Sequence, residues 1–190
     1  IASMPLGFLL TLASRCRFAP LRWVVNAYIY VMRGTPLMLQ LFFIYYGLPF
    51  VSDFFKMVLN SAMVCALLGF SLNYAAYFAE IFRGGLLAVD KGQYEASQVL
   101  GLSRVQTTVR VILPQMFRVA LPSITNESIT LIKDTALVFS ISVLEILYYA
   151  KADVTRTGNV FPYVIAFLIY LLLNTVLQLF FNWLEKKLDY

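Results

Sequence analysis

The sequence predicts an all-α, polytopic transmembrane bundle, and three observations carry that prediction. Apolar residues make up 61% of the 190 positions and charged residues only 13%, with a mean hydropathy of +0.76. Soluble domains run nearer half apolar and a quarter charged, so this chain has more apolar surface than one soluble core can hide. Apolar stretches of near-bilayer length recur along it, and the basic residues fall in alternate connecting segments.

The segment at about 1–14 opens with IASMPLGFLLTLA, shorter than the roughly 20 residues a bilayer core requires. It carries neither the basic leader nor the cleavage site of a signal peptide. It is read as a partial first span whose beginning is missing. Residues 37–52 form a short second span and residues 57–79 a third. Residues 129–150 reach across as a fourth, although they contain Lys133, Asp134 and Glu145. Residues 160–184 (VFPYVIAFLIYLLLNTVLQLFFNWL) are the cleanest span. The expectation is one transmembrane domain over 1–190 with five crossings, and without repeat, low-complexity stretch or soluble domain.

Charge sets the orientation. Arg15, Arg17, Arg22 and Arg33 lie between the first and second spans. Arg83, Lys91, Arg104, Arg110 and Arg118 lie between the third and fourth, and Lys186 and Lys187 follow the fifth. The other connections hold Lys56, then Lys151 and Arg156. The positive-inside rule makes the richer side cytoplasmic, with the C-terminus on it. Tyr45, Tyr46, Phe54, Phe55, Tyr148 and Tyr149 fall where an outer aromatic belt would sit.

Composition also excludes chemistry. Histidine is absent, which removes the commonest general base and zinc ligand. Cys16 and Cys65 have no metal-ligand or CxxC spacing and read as small buried hydrophobes. No GxxxxGK[ST] loop is present. Neither a catalytic residue nor a metal site is expected, and the net charge of +5 is scattered in the manner of membrane orientation rather than nucleic-acid binding.

The most informative stretch is 83–123, a long polar connection of a kind usually functional or structured. Residues 91–100 (KGQYEASQVL) favour a helix that stops at Gly101, a C′ glycine. Ser103 and Gln106 form an S-x-x-Q capping box that starts a second helix. Val105, Val109 and Ile112 place one apolar stripe on it, and Pro114 ends or kinks it. Such a hairpin, 91–114, either packs at the membrane interface or docks into a groove on a soluble partner.

Glu95-Ala96-Ser97, then Gly101, then Val111-Ile112-Leu113-Pro114 resembles the EAA loop of ABC-importer permeases, the binding-protein-dependent transport-system inner membrane components. Ser97 replaces the family's second alanine and Val111 its isoleucine, both small changes. Arg33-Gly34-Thr35-Pro36, Ala79-Glu80-Ile81-Phe82-Arg83-Gly84-Gly85 and Ile132-Lys133-Asp134-Thr135 resemble segments of the polar amino-acid, histidine/glutamine permease-like branch. The resemblance runs from about residue 28 to the C-terminus.

It implies an ABC type I importer permease (MetI-like) fold in a bacterial inner membrane, serving uptake of a polar or charged amino acid by alternating access. It implies partners: ATPase subunits that bind ATP and Mg, an extracytoplasmic solute-binding protein, and a second permease in a homodimer or heterodimer. The hairpin would be the coupling helix. Glu95 would anchor towards the ATPase, Gly101 would permit the turn, and Ala96, Ser97, Leu102, Ser103 and Pro114 would complete the rigid unit. This chain itself would hold no cofactor.

Charges within spans are costly and by default mark a pathway or a buried pair. Asp134 follows Glu127 by seven residues on nearly the same helix face, with Asn126 beside it. That stripe either lines a cavity for an amino-acid zwitterion or forms a structural knot near the interface. Lys133 is about 100° from Asp134 and does not face it. Glu80 can serve the path or pair locally with Arg83. A rival function, an ion- or proton-coupled secondary transporter or channel, would use such charges but has no need of the hairpin.

Overall fold

A computed structural model describes residues 2–188, and among them every regular element is helical. In chain order these are α1 (Ser3–Ser14), α2 (Ala19–Gly34), α3 (37–51), α4 (Asp53–Val58), α5 (Ala62–Ala88), α6 (Lys91–Val99), α7 (104–134), α8 (Ile146–Thr157) and α9 (Phe161–Leu188). Two of them contain a π-helical stretch, Phe43–Gly47 in α3 and Thr107–Ile112 in α7. A 3-10 segment, Thr135–Ile141, follows α7.

Helix α5 is the axis on which α1, α2, α3 and α7 pack. Its partner α1 presents Ser3, Gly7, Thr11 and Ser14, all buried and spaced by one helical turn. A Cβ on Gly7 would lie 2.6 Å from the Phe78 Cβ and 2.9 Å from the Ala75 carbonyl oxygen. The Thr11 hydroxyl sits 2.9 Å from both the Gly7 and the Ala79 carbonyl oxygens. Small residues of this kind let two backbones approach where lipid offers no hydrophobic drive for association. Further along α5, Gly85 does the same for α7, with Met116 O 2.9 Å from a notional Cβ. Tyr74, Phe78, Phe82, Ile112, Met116 and Ala120 fill the interior there.

The chain turns sharply between α2 and α3, by 109°. Thr35 precedes Pro36 and is held extended (φ −121°, ψ 148°), as the proline ring demands of its predecessor. Side chains then pin the bend to α5. Buried Asn73 donates to the Met32 carbonyl (3.1 Å) and to Gln40 Oε1 (2.9 Å). Gln40 Nε2 donates in turn to the Met32 carbonyl at 2.9 Å and to Thr35 Oγ1 at 2.7 Å. Carbonyls freed by a broken helix need such partners in an apolar medium.

Among the described residues two helices are long and apolar enough to cross a membrane, Ala62–Ala88 and Phe161–Lys187, and the bent pair α2–α3 counts as a third if taken as one broken span. At 27 residues, each of the two is about 40 Å long and exceeds a hydrocarbon core of about 30 Å. Helix α9 is almost wholly exposed, with Leu172, Val176, Leu179 and Phe180 bare. That surface suits lipid.

The structure differs from the sequence reading in four places. The third span is shifted to Ala62–Ala88, because Asp53–Val58 forms its own short helix and the next one starts only after Ser61, whose backbone is extended. Residues 129–150 are not one helix. Helix α7 ends at Asp134, the 3-10 segment follows, Ser142 adopts φ 63°, and a new helix begins after Glu145. The stretch 83–123 is no loop at heart, since α5 runs on to Ala88 and α7 starts at Arg104. Finally Ala19–Gly34, read as a basic connection, is helical: Pro20 sits in its first turn, where its fixed φ is favourable, and Val25 and Ile29 bury against Ala76 and Ala79.

Candidate functional site

Two features stand out, a capped hairpin at one end of α5 and a polar path beside it. The hairpin is built from local bonds. Asp90 caps α6, accepting from the Gly92 N–H at 2.6 Å. At the other end Gly101 takes φ 73°. Its N–H donates to the Gln98 carbonyl (2.9 Å), while the Leu102 N–H donates to the Ser97 carbonyl (3.0 Å). These two bonds make a Schellman motif, which satisfies the carbonyls a helix end leaves free. Ser103 and Gln106 then complete a reciprocal capping box: the Ser103 N–H donates to Gln106 Oε1 (2.9 Å), and the Gln106 N–H donates to Ser103 Oγ (3.3 Å).

A side-chain bond closes the hairpin on itself, with Gln115 Nε2 donating to Gln93 Oε1 at 3.0 Å. Ser97 is buried and its hydroxyl donates back to the Gln93 carbonyl (2.7 Å). Glu95 and Ala96 are exposed, and Val99 and Leu100 are 88% and 77% exposed. An apolar tip flanked by a carboxylate is therefore left uncovered by the described residues. Val105 and Val109 are exposed too, whereas Ile112 is buried, so the single apolar stripe expected from the spacing is divided. The cause is the π stretch Thr107–Ile112, which widens the turn and rotates Ile112 relative to the two valines. Pro114 neither ends nor breaks the helix: it follows that widened stretch in the first turn of Leu113–Asp134, where its missing N–H is tolerated.

The path consists of two cavities that share Tyr77 and Glu127. One, of about 570 Å³, is lined by Arg33, Glu80, Ser123 and Asn126 besides the shared pair. The other, of about 330 Å³, is lined by Thr35, Asn73, Tyr74, Thr130 and Asp134. The Tyr74 hydroxyl donates to Asp134 Oδ2 at 2.8 Å. Glu80 bridges two guanidiniums: Arg83 Nε donates to it at 3.0 Å, and Arg33 Nη1 lies 3.6 Å away. Arg33 also sits 5.4 Å above the Tyr77 ring centre, within cation–π range.

The structure thus places Glu80, Asn126, Glu127 and Asp134 on the linings of these two adjoining cavities and leaves Lys133 out. Lys133 is exposed and lines neither cavity, as its 100° offset from Asp134 requires. Glu145 serves elsewhere. It caps α8 by accepting from the Leu147 and Tyr148 N–H groups and accepts the Tyr170 hydroxyl at 2.8 Å. Tyr74, Tyr77, Asn73 and Gln40 escaped the sequence reading. Asn73 and Gln40 carried a signal, since amides inside apolar segments need a partner.

The binding-protein-dependent transport system inner membrane component model matches residues 3–190. This chain belongs to that family. Among curated relatives, the probable amino-acid ABC transporter permease YckA of Bacillus subtilis is 42% identical over 98% of this permease and 80% of its own length. The L-cystine transport system permease TcyB of the same organism is 39% identical, covering 100% and 80%. The arginine ABC transporter permease ArtM of Escherichia coli is 35% identical, covering 87% and 76%. A crystal structure of an amino acid ABC transporter with histidines superposes with a TM-score of 0.86 at 30% identity, over 98% of this permease and 85% of that chain. The methionine transporter MetNI in inward-facing form gives 0.78 at 18% identity, over 99% and 86%, which speaks for the fold alone.

Proposed function

We propose that this permease is the membrane subunit of an ATP-driven importer for a polar or charged amino acid, working by alternating access. The observation that carries the reading is the doubly capped hairpin 91–114, whose Glu95, Val99 and Leu100 face away from the rest of the described chain. A rigid knob with an apolar tip and one carboxylate suits docking into a groove of a soluble subunit. That subunit is the ATPase, which binds ATP and Mg and does the hydrolysis; this chain transports and has no catalytic site of its own. ATP must bind one state of the assembly better than the other, or no motion follows. The Schellman bonds and the Gln93–Gln115 bond make the hairpin stiff enough to pass that motion to α5 and α7.

The substrate moves along the path through Glu80, Asn126, Glu127 and Asp134, where Glu127 meets an ammonium or a cationic side chain. Names of relatives that mention arginine, cystine or amino acids in general support this class. The path opens on a second permease subunit, identical or related, and an extracytoplasmic binding protein delivers the substrate. The chain crosses the bacterial inner membrane five times with the hairpin and C-terminus in the cytoplasm, an orientation the arginine distribution supports.

The test is reconstitution of the permease with its partner permease and ATPase in proteoliposomes, with the binding protein supplied on the opposite side. The expected result is uptake of one or a few amino acids only when ATP is supplied on the hairpin side. Uptake driven by an ion gradient without ATP would overturn the reading in favour of a secondary transporter.

A further inference from the structure

Helix α2 has three faces. Val25 and Ile29 are buried against α5. Around the helix from them, at 100° per residue, come Arg22, Asn26 and Arg33. The remaining side holds Trp23, Val24, Tyr30 and Val31, exposed by 74%, 57%, 79% and 54%. None of the described residues covers that last face. The helix is set at 109° to α3, so the two do not lie along one straight spanning axis.

Between the end of α1, α2 and the last turns of α5 lies a cleft of about 490 Å³, lined among others by Arg15, Asn26, Tyr30, Arg33, Glu80 and Arg83. Three guanidiniums, of Arg15, Arg33 and Arg83, share it with one carboxylate. Glu80 engages Arg33 and Arg83. Arg15, and outside the cleft Arg17 and Arg22, make no ion pair among the described residues. Tyr30 belongs both to the cleft and to the exposed apolar face, so the two are continuous. Ser14, Arg83 and Leu87 also line the cleft, which places it at the hairpin end of α5.

We infer that α2 is an interfacial helix carrying a binding site for an anionic phospholipid, with the phosphate in the arginine cleft and the acyl chains along Trp23 and Tyr30. Guanidinium forks match phosphate oxygens, and an apolar face rimmed by Trp, Tyr and Arg is the composition of a helix lying in the membrane surface. Clustered basic residues beside it select anionic over zwitterionic headgroups. The excess of positive charge favours such a lipid over a second copy of this equally basic chain. The site goes beyond the importer reading and requires only that the chain is embedded in lipid.

The test uses the assembled transporter in liposomes. Trp23 is isolated as the difference in fluorescence between wild type and Trp23→Phe. Quenching is measured with tail-brominated phosphatidylglycerol, then with tail-brominated phosphatidylcholine, in bilayers of the same overall composition. The expected result is stronger quenching by the brominated phosphatidylglycerol. In an Arg15→Gln variant that preference falls by about fivefold, while quenching by phosphatidylcholine persists. Equal quenching by both lipids in the wild type would remove the site. Absence of quenching by either would show that a second copy or a partner subunit covers the face, and would overturn the proposal. The readout involves no transport, so it stands or falls separately from the importer reading.

Discussion

Replacing Gly101 by alanine isolates the stiffness of the hairpin. Gly101 holds φ 73°, and a Cβ added there meets nothing within 4 Å. No clash accompanies the change, so its cost is the left-handed backbone alone, about 1–2 kcal/mol for an L-residue. That energy sits in the turn joining the Gly101–Gln98 and Leu102–Ser97 bonds. Hydrogen exchange at the amides of residues 101 and 102 therefore speeds up by about 5- to 30-fold, the Boltzmann factor of that range. Protection in the core of α5 stays as it was. Gly101→Asn recovers much of the loss, because asparagine also tolerates this conformation at a helix C′ position. In uptake assays the alanine variant loses rate per ATP hydrolysed, and the asparagine variant regains it. Unchanged protection at residues 101 and 102 in the alanine variant would refute the claim that this turn holds the hairpin rigid.

Three further outcomes follow from the packing and the path. Gly7→Val places side-chain atoms against Phe78 Cβ and the Ala75 carbonyl, and overpacking of this kind costs about 1–3 kcal/mol; a lowered melting temperature of the purified assembly checks it, with Leu6→Val on the exposed side of α1 as control. Asn73→Leu takes from Gln40 Oε1 the donor it has here and removes one of two donors from the Met32 carbonyl, which keeps Gln40 Nε2. Unsatisfied polar groups cost about 1–3 kcal/mol, so the α2–α3 bend loosens, as faster hydrogen exchange at residues 33–40 will show. Glu127→Gln lowers uptake of cationic amino acids by about tenfold while sparing neutral ones, if one charge-assisted hydrogen bond of about 1.5 kcal/mol is lost; competition uptake with arginine and glutamine reads the ratio.

Features fixed by neighbouring residues were legible in the sequence, and features fixed across the fold were not. Gly101, Ser103 and Gln106 set the turn of the hairpin through bonds no more than five residues long, so helix-cap chemistry alone is enough to reveal it; the Asp90 cap at its start, equally local, was missed. Glu80 and Arg83, one turn apart, were equally readable as a pair. Arg33 as the second partner of Glu80 was not, because α2 must first fold back against Ala76 and Ala79. The arginines of α2 also disguised a helix as a loop: Arg22 and Arg33 interrupt its hydropathy while its buried face holds little more than Val25 and Ile29.

Residues 129–150 show the opposite failure. Their apolar composition reads as continuous, yet Val138 and Ile141 turn inward to meet Leu41, Ile44 and Cys65, and Glu145 then opens a new helix. In the path, Glu127 and Asp134 could be placed on one face by helical spacing. Tyr74, whose hydroxyl holds Asp134, comes from another helix, and no local pattern announces it.

Transport coupled through Glu95 is the most direct test of the central claim. Glu95 is exposed on the hairpin and none of the hydrogen bonds that shape the turn involve its side chain, so Glu95→Arg leaves the fold and membrane insertion intact. With the ATPase subunits co-reconstituted, uptake and ATP hydrolysis are measured in the same vesicles. The account predicts that the variant loses uptake while the ATPase subunits still hydrolyse ATP. Uptake at the wild-type rate, with the same number of substrates carried per ATP, would contradict it.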